Sequence, residues 1–253
     1  MVCFCHLYVI RLIPDLAMQR PSAHHPNRRP HNWLIYDIQD RSLENARSVI
    51  RGTVYDLGCG ESPYREWILQ HARSYIGVDW SQSFHETTAE VLSNLNEPLP
   101  INDSVADTVL SLSVLEHLHQ PSCMLQEAAR LLKPGGHLLL QVPWQWHLHE
   151  IPHDYYRFTP YALRSLLNDA GLHKISITAQ SGFFSSIALK VNYFTRRLSN
   201  GRGFSRRILR ATLQPPWYLG QRVAPWLDKL DRDWSLETTG YFVTAEKASV
   251  QES

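Results

Sequence analysis

Val54-Tyr55-Asp56-Leu57-Gly58-Cys59-Gly60 places an acid just ahead of two glycines, and a second acid, Asp79, follows about 20 residues later. Two glycines in a tight turn remove the Cβ atoms that would keep a ligand away from the backbone. A carboxylate at Asp79 can accept two hydrogen bonds from a ribose diol. That pair alone also describes a nicotinamide-binding unit, whose Gly-x-Gly-x-x-Gly fingerprint is shaped around a pyrophosphate. Here Glu61 would repel phosphates and Pro63 breaks the pattern. Asp56 suits a cationic amino-acid group, so a sulfonium amino-acid nucleoside is the better guest.

A second group of residues could move protons. His117 follows Glu116, and His147, His149 and His153 flank the stretch from Glu150 to Asp154. Histidine is the side chain best matched to general-base work near neutral pH. His117 could equally pack or cap at a helix start. The run His153-Asp154-Tyr155-Tyr156-Arg157-Phe158-Thr159 mixes polar and aromatic residues after a strand end, which suits an acceptor pocket. His117, His153 and Tyr156 are the catalytic candidates. Imidazole and carboxylate at His147, His149, Glu150, His153 and Asp154 could also hold a divalent metal. Spacing on a loop does not establish a coordination geometry, and the expectation is metal-free. Cys3-Phe4-Cys5-His6 has metal-binding residue types but no second ligand pair downstream.

These residues need a frame. From about residue 31 short apolar runs alternate with amphipathic stretches, the signature of βα units and a mostly parallel sheet. The pattern predicts a helix over 33–50, then strands over Thr53–Leu57, Ser74–Val78, Asp107–Leu112, His137–Val142, His173–Ala179 and Thr239–Glu246. An irregular unit fills Phe84–Leu95. Helices are predicted from Pro63 towards His71, over Pro121–Leu132, and from Thr159-Pro160 to a stop at Gly171. In open α/β sheets, ligands bind beyond the carboxyl ends of the strands, where Asp56, Asp79 and His117 would lie.

Residues 53 to 179 resemble the class I S-adenosylmethionine-dependent methyltransferases, especially the "methyltransferase type 11" subgroup. The resemblance rests on Asp56-Leu57-Gly58-Cys59-Gly60, Gly77-Val78-Asp79 and Leu95-Asn96-Glu97-Pro98-Leu99-Pro100 with Asp103 and Asp107. It continues through Val114-Leu115-Glu116-His117-Leu118 and Leu131-Leu132-Lys133-Pro134-Gly135-Gly136, all in order. It implies a Rossmann-like seven-stranded sheet with helices on both faces, an antiparallel last strand and S-adenosylmethionine as cofactor. It further implies that Asp56 with Gly58, Cys59 and Gly60 faces the methionine part, that Asp79 holds the ribose, and that Trp80 lies beside the adenine. Asn94 and Leu95 would lie near the adenine amino group, and Ser113 and Val114 would line the donor pocket. Ser62 stands where many relatives have glycine, and Asn94 where many have an acid. The activity expected is methyl transfer to a small-molecule acceptor, with O-, N- or C-methylation left open. The alternatives are a non-catalytic S-adenosylmethionine-binding protein and a nicotinamide-dependent oxidoreductase.

The 253 residues are 43% hydrophobic and 19% charged, enough for a sizeable core and against global disorder. A net charge of +1 does not point to nucleic acid. Four scattered cysteines form no disulfide framework. No apolar run reaches the roughly 20 residues of a membrane span, and Val2–Ile13 lacks the flanks of a secretory signal. A cytoplasmic location is expected. The chain divides into a flexible arm over 1–30, a cofactor-binding core over 31–180, a helical basic insertion over 181–235 and a last strand and tail over 236–253. From Ser181 to Leu227 there are eight Lys or Arg residues and no Asp or Glu. Such a face is either simply solvated or a lid for an anionic or lipid-linked acceptor, with peripheral membrane contact through 190–210. Pro215-Pro216-Trp217 and Pro225-Trp226 are expected to stiffen its returning arm. Removing Asn192 to Arg210 is expected to spare donor binding.

Overall fold

The structure is a computed structural model that describes residues 20–23, 25–81 and 87–249. The apolar start, the Cys3–His6 fragment and part of the irregular third unit lie outside these residues.

Thr53, Val54, Tyr55, Asp56 and Leu57 form β1 (Thr53–Leu57), and all but Thr53 are buried. A strand covered on both faces loses the polar alternation of a half-solvated one, which is why this run is nearly continuous in apolar residues. β2 (Ser74–Asp79) and β4 (Ala106–Leu112) flank it in parallel, and the two-residue β3 (Val91–Leu92) extends the sheet beyond β2. β5 (Leu132–Pro143) pairs parallel to β4 and antiparallel to β7 (Gly240–Lys247), which also pairs antiparallel to β6 (Leu172–Ala179). The order is β3-β2-β1-β4-β5-β7-β6. Strand order reverses between β1 and β4, so a crevice opens at their carboxyl ends.

Two apolar layers cover the sheet. One includes Leu57, Val109, Leu138 and Leu140 with Met124, Leu125 and Ala128 of α3 (Pro121–Leu131) and Leu163 and Leu167 of α4 (Pro160–Asp169). The other joins Val54, Leu110 and Leu139 to Leu43 of α1 (Trp33–Asn45) and to Trp67 and Ile68 of the short α2 (Arg65–Ile68). Proline opens both α3 and α4, where its missing N–H costs nothing. At α4 the Thr159 hydroxyl also accepts from the Ala162 N–H at 3.2 Å, a cap that ends the preceding loop at a fixed point.

The insertion before β7 folds as α5 (Phe183–Leu198) and α6 (Phe204–Asp228). Its two ends meet: Ser181 Oγ lies 2.9 Å from Thr239 Oγ1, and Thr238 Oγ1 accepts from the backbone N–H groups of Gln180 and Ser181, both at 3.1 Å. At the end of α6 the buried Asp228 carboxylate accepts from the N–H groups of Gly182, Phe184 and Ser185, which joins that end to the start of α5. The prolines do not form a separate stiff arm. α6 runs through Pro215, Pro216 and Pro225, and Trp217 and Ala224 anchor it.

The segment expected to be a flexible arm is packed from Arg20 onward. Ser22 is fully buried and donates from N and Oγ to Asp40 of α1, each at 2.8 Å, while Arg28 reaches the same carboxylate at 3.1 Å. Proline, histidine and arginine suggest solvent when read alone, but here α1 supplies a buried acid for them. No described helix is long and apolar enough to cross a membrane.

Candidate functional site

A cavity of about 820 Å³ opens at the carboxyl ends of β1, β2 and β4. That is within the range of roughly 300–1,000 Å³ usual for small-molecule sites. Asp56, Gly58, Cys59 and Gly60 line it after β1, and Asp79 and Trp80 after β2. Asn94 and Leu95 come from the stretch before β4, and Ser113 and Val114 from the turn that follows it. All ten positions expected to hold the cofactor thus face one space.

The glycines show why the turn is built as it is. Gly58 has φ +83°, and a Cβ there would lie 2.3 Å from Val114 Cγ2. Gly60 has φ +53° but meets nothing within 4 Å, so it leaves open room beside the backbone. Ser62, where relatives often carry glycine, is held at φ +51°, a conformation costly for serine. Ser113 (φ +57°) and Glu150 (φ +51°) are similarly placed on the cavity wall.

The two acids differ. Asp79 accepts the Gly60 and Trp80 backbone N–H groups, both at 2.6 Å, which fixes its carboxylate beside the turn with lone pairs left for a diol. Asp56 is buried and accepts the Tyr75 hydroxyl at 2.5 Å. Burial raises its pKa to about 7, and the Asp79 charge adds to that, against the Tyr75 hydrogen bond and Arg65. A dry acid that cannot ionise cheaply gains most from a cation. The thiol of Cys59 is pushed up to about 12, chiefly by burial, so it packs rather than reacts. Open backbone at Gly60, an oriented acid at Asp79 and a charge-starved acid at Asp56 fit an amino-acid nucleoside cation and not a pyrophosphate.

The rest of the cavity is histidine-rich and aromatic. His117 and His153 both line it. Tyr156 does not. Its hydroxyl donates to the His119 carbonyl oxygen at 3.3 Å, and Tyr155 takes the place on the wall. Alternation along an extended run decides which of two adjacent tyrosines faces inward, and the sequence alone carries no register for this loop. His147 and His149 also line the cavity, together with Tyr193 of α5. Burial chiefly pushes His147 down to about 4, so it is neutral. His149 is raised instead: its burial is outweighed by Glu116, Asp154 and Glu150.

The far wall was missed by sequence reasoning. It comes from His25, His31, Asn32 and Tyr36, in the presumed arm and the start of α1. The insertion holds this wall in place. Asn192 of α5 donates to the His31 carbonyl at 3.0 Å, and Gln221 of α6 accepts from Leu34 N–H and donates to the Pro30 carbonyl, both at 2.9 Å. Removing 192–210 would therefore take away one of the contacts that hold this wall, the Asn192 bond to His31. No sequence motif marks these contacts, which join residues more than 160 positions apart.

Residues 55–140 match the family model of the type 11 methyltransferase domain. A probable S-adenosylmethionine-dependent methyltransferase of Mycobacterium tuberculosis (strain ATCC 25618 / H37Rv) is 28% identical over 227 residues, covering 82% of this chain and 73% of the relative. Over these residues the chain is similar to class I S-adenosylmethionine-dependent methyltransferases. A probable S-adenosylmethionine-dependent methyltransferase of Mycolicibacterium smegmatis is 34% identical over 100 residues, 36% of this chain and 37% of the relative. Solved structures share the fold: the cyclase SpnF at TM-score 0.56 and 18% identity, covering 84% of this chain and 81% of that one. Phosphoethanolamine N-methyltransferase 2 of Haemonchus contortus, in complex with S-adenosyl-L-methionine, has TM-score 0.55 and 17% identity, covering 87% and 56%. Both mycobacterial relatives are named for dependence on S-adenosylmethionine.

Proposed function

We propose that the protein transfers a methyl group from S-adenosylmethionine to a small molecule bound in the histidine-rich half of the same cavity. The observation that carries this reading is the continuity of one space from Asp56, Gly60 and Asp79 to His117, His153, Tyr155 and Tyr193. Asp56 and the Gly58–Gly60 turn would hold the methionine part of the cofactor, Asp79 the ribose, and Trp80, Asn94 and Leu95 the adenine. When bound, the cofactor supplies a methyl group already attached to its leaving group.

The chain's own residues then have two tasks. The first is to hold the acceptor atom in line and keep water out, which the wall from His25 to Tyr36 and Tyr193 serves. The second is to take a proton if the acceptor is a hydroxyl. His117 Nδ1 lies 2.7 Å from the His153 carbonyl oxygen, which can only accept, so Nδ1 carries the hydrogen and Nε2 is left as the basic nitrogen. His153 is the second imidazole on the wall. O-Methylation is the chemistry named for ubiquinone biosynthesis O-methyltransferases, of which one from Aliivibrio fischeri (strain ATCC 700601 / ES114) is 29% identical over 107 residues.

The insertion supports an anionic or lipid-linked acceptor. Phe184, Ile187, Val191, Phe194 and Leu198 are all exposed along α5 at a spacing that keeps them on one face. Arg196, Arg197, Arg202, Arg206, Arg207 and Arg210 follow or flank that stripe. Apolar side chains beside arginines suit peripheral contact with an acidic lipid surface through 190–210. The test has two parts. Calorimetry should detect S-adenosylhomocysteine and not NAD, and labelled methyl should enter an acceptor from a metabolite or lipid extract. Uptake of NAD alone, or binding of neither nucleotide by folded protein, would overturn the reading.

A further inference from the structure

Glu116 sits in a one-turn helix just past β4, fully buried, and neither oxygen of its carboxyl group has a hydrogen-bond partner. A buried carboxylate without a partner is among the costliest arrangements in a protein, and such groups are normally paired or bound to metal. The nearest cationic candidates are two imidazoles that stop short: His117 Nε2 is 3.7 Å and His149 Nε2 is 3.8 Å from Glu116 Oε1. One ligand atom from each of Glu116, His117 and His149 lies within 4.8 Å of the others. Glu150 adds a second carboxylate, 3.7 Å from His117 Nε2.

Both imidazoles are oriented from behind. His117 Nδ1 is fixed by the His153 carbonyl at 2.7 Å. His149 Nδ1 lies 3.3 Å from the Asp154 carboxylate and 3.3 Å from the His147 carbonyl. Asp154 is in turn clamped by Arg157 at 2.6 and 2.8 Å, and accepts the His149 backbone N–H at 3.0 Å. A ring whose rear N–H is bound to a carbonyl or carboxylate presents its other nitrogen as a lone pair, which is how metal-binding histidines are usually held. Bonds of roughly 2.0–2.2 Å to an ion would set the ligand atoms about 3–3.5 Å apart, so small side-chain rotations close the gaps.

We propose that Glu116, His117 and His149 bind one divalent first-row transition-metal ion, such as Zn(II) or Mn(II), at the edge of the acceptor half of the cavity. Two imidazoles and one carboxylate leave coordination positions open, and His117 and His149 border the cavity, so those positions can take an oxygen of the acceptor. The expectation of a metal-free site is thereby replaced. It was drawn from the contiguous stretch around His147 to Asp154, whereas the set here combines His149, which follows β5, with two residues that follow the neighbouring strand β4. His117 is then a ligand, and His153 is the imidazole left to receive a proton. The site stands apart from the methyl-transfer reading because it can be measured with neither cofactor nor acceptor present.

The experiment uses the full chain purified without a histidine tag, stripped with EDTA, and titrated with Zn(II) and separately with Mn(II). Calorimetry and ion counting should give one ion per chain. E116Q and H149Q should each bind at least ~10-fold more weakly, and D154N, which reaches the three ligands through His149, should lose about 10–100-fold at unchanged stoichiometry. Binding of S-adenosylhomocysteine by each variant reports that it is folded. Co(II) loaded into the unaltered chain gives a check that needs no variant: imidazole and carboxylate ligation shifts its visible absorption away from that of the aqueous ion. No ion uptake by the unaltered chain, an aqueous-type Co(II) spectrum, or equal uptake by E116Q and H149Q in folded form would overturn the proposal.

Discussion

Asp56 makes donor binding a pH-dependent event. With its pKa raised to about 7, principally by burial, Asp56 is protonated in about nine molecules of ten at pH 6. A cationic amino-acid group draws on the ionised form, so binding must release that proton. Affinity for S-adenosylhomocysteine should therefore rise about 10-fold from pH 6 to 8 and about 100-fold from pH 5 to 8, at roughly 1.4 kcal/mol per factor of ten. The same shift affects the empty protein. A carboxyl raised from 3.8 to about 7 in the folded state costs folding nothing below about pH 4, and stability relative to that is lost as pH rises from about 4 to about 7. The full cost above pH 7 is about 4 kcal/mol. Asp56→Asn removes both effects: the variant should be more stable than the parent at pH 8, equal to it at pH 4, and bind weakly with a flat pH profile. His25, His31 and His147, each lowered to about 4 with burial as the main cause, act in the opposite direction, so the comparison is between parent and variant at each pH. Calorimetry in two buffers of different ionisation enthalpy counts the released proton directly. An affinity that stays constant between pH 5.5 and 8, with no proton released, would refute the reasoning.

Gly58→Ala and Gly60→Ala separate strain from crowding. The first adds a Cβ 2.3 Å from Val114 at φ +83° and should cost roughly 2–5 kcal/mol, read as a fall in Tm. The second has open space at φ +53°, should cost only about 1–2 kcal/mol, and should lower cofactor affinity far more than stability. Asp79→Asn should weaken S-adenosylhomocysteine binding about 10–100-fold in calorimetry, because a charged acceptor beside Gly60 and the ribose site is lost. Asp228→Ala removes the acceptor of three backbone N–H groups at the start of α5 and should speed hydrogen exchange in 182–190 while leaving β1 and β2 protected.

The sheet was legible because its signals are local. Asp56 and its glycines sit on adjacent positions, so the turn is written in one short run, and Thr159-Pro160 marks the start of α4 by the same logic. Other features depend on partners far along the chain. Residues 20–32 look like a polar tail until Asp40 offers Ser22 and Arg28 a buried charge. Pro215 and Pro216 look like stiffeners of a returning arm, yet the anchoring of Trp217, whose indole donates to Thr195 of α5 at 2.8 Å, accompanies an unbroken α6. Tyr155 and Tyr156 differ only in loop register. Glu116 sits in a recognisable motif, but its neighbour His149 is more than 30 residues away, and only the parallel pairing of β4 with β5 brings the loops that follow them together.

The chain leaves the sheet at Ser181 and returns at Thr239 through side chains 2.9 Å apart. To the seven strands, everything between those two residues is one closed handle, whose size they do not sense. Such a handle can be exchanged without altering the strands, provided its inner surface still grips the start of the chain. Asn192 and Gln221 do the gripping here, through the main chain at Pro30, His31 and Leu34. A working chimera would therefore have to exchange 181–238 together with 20–36, two stretches at opposite ends of the gene that act as one module.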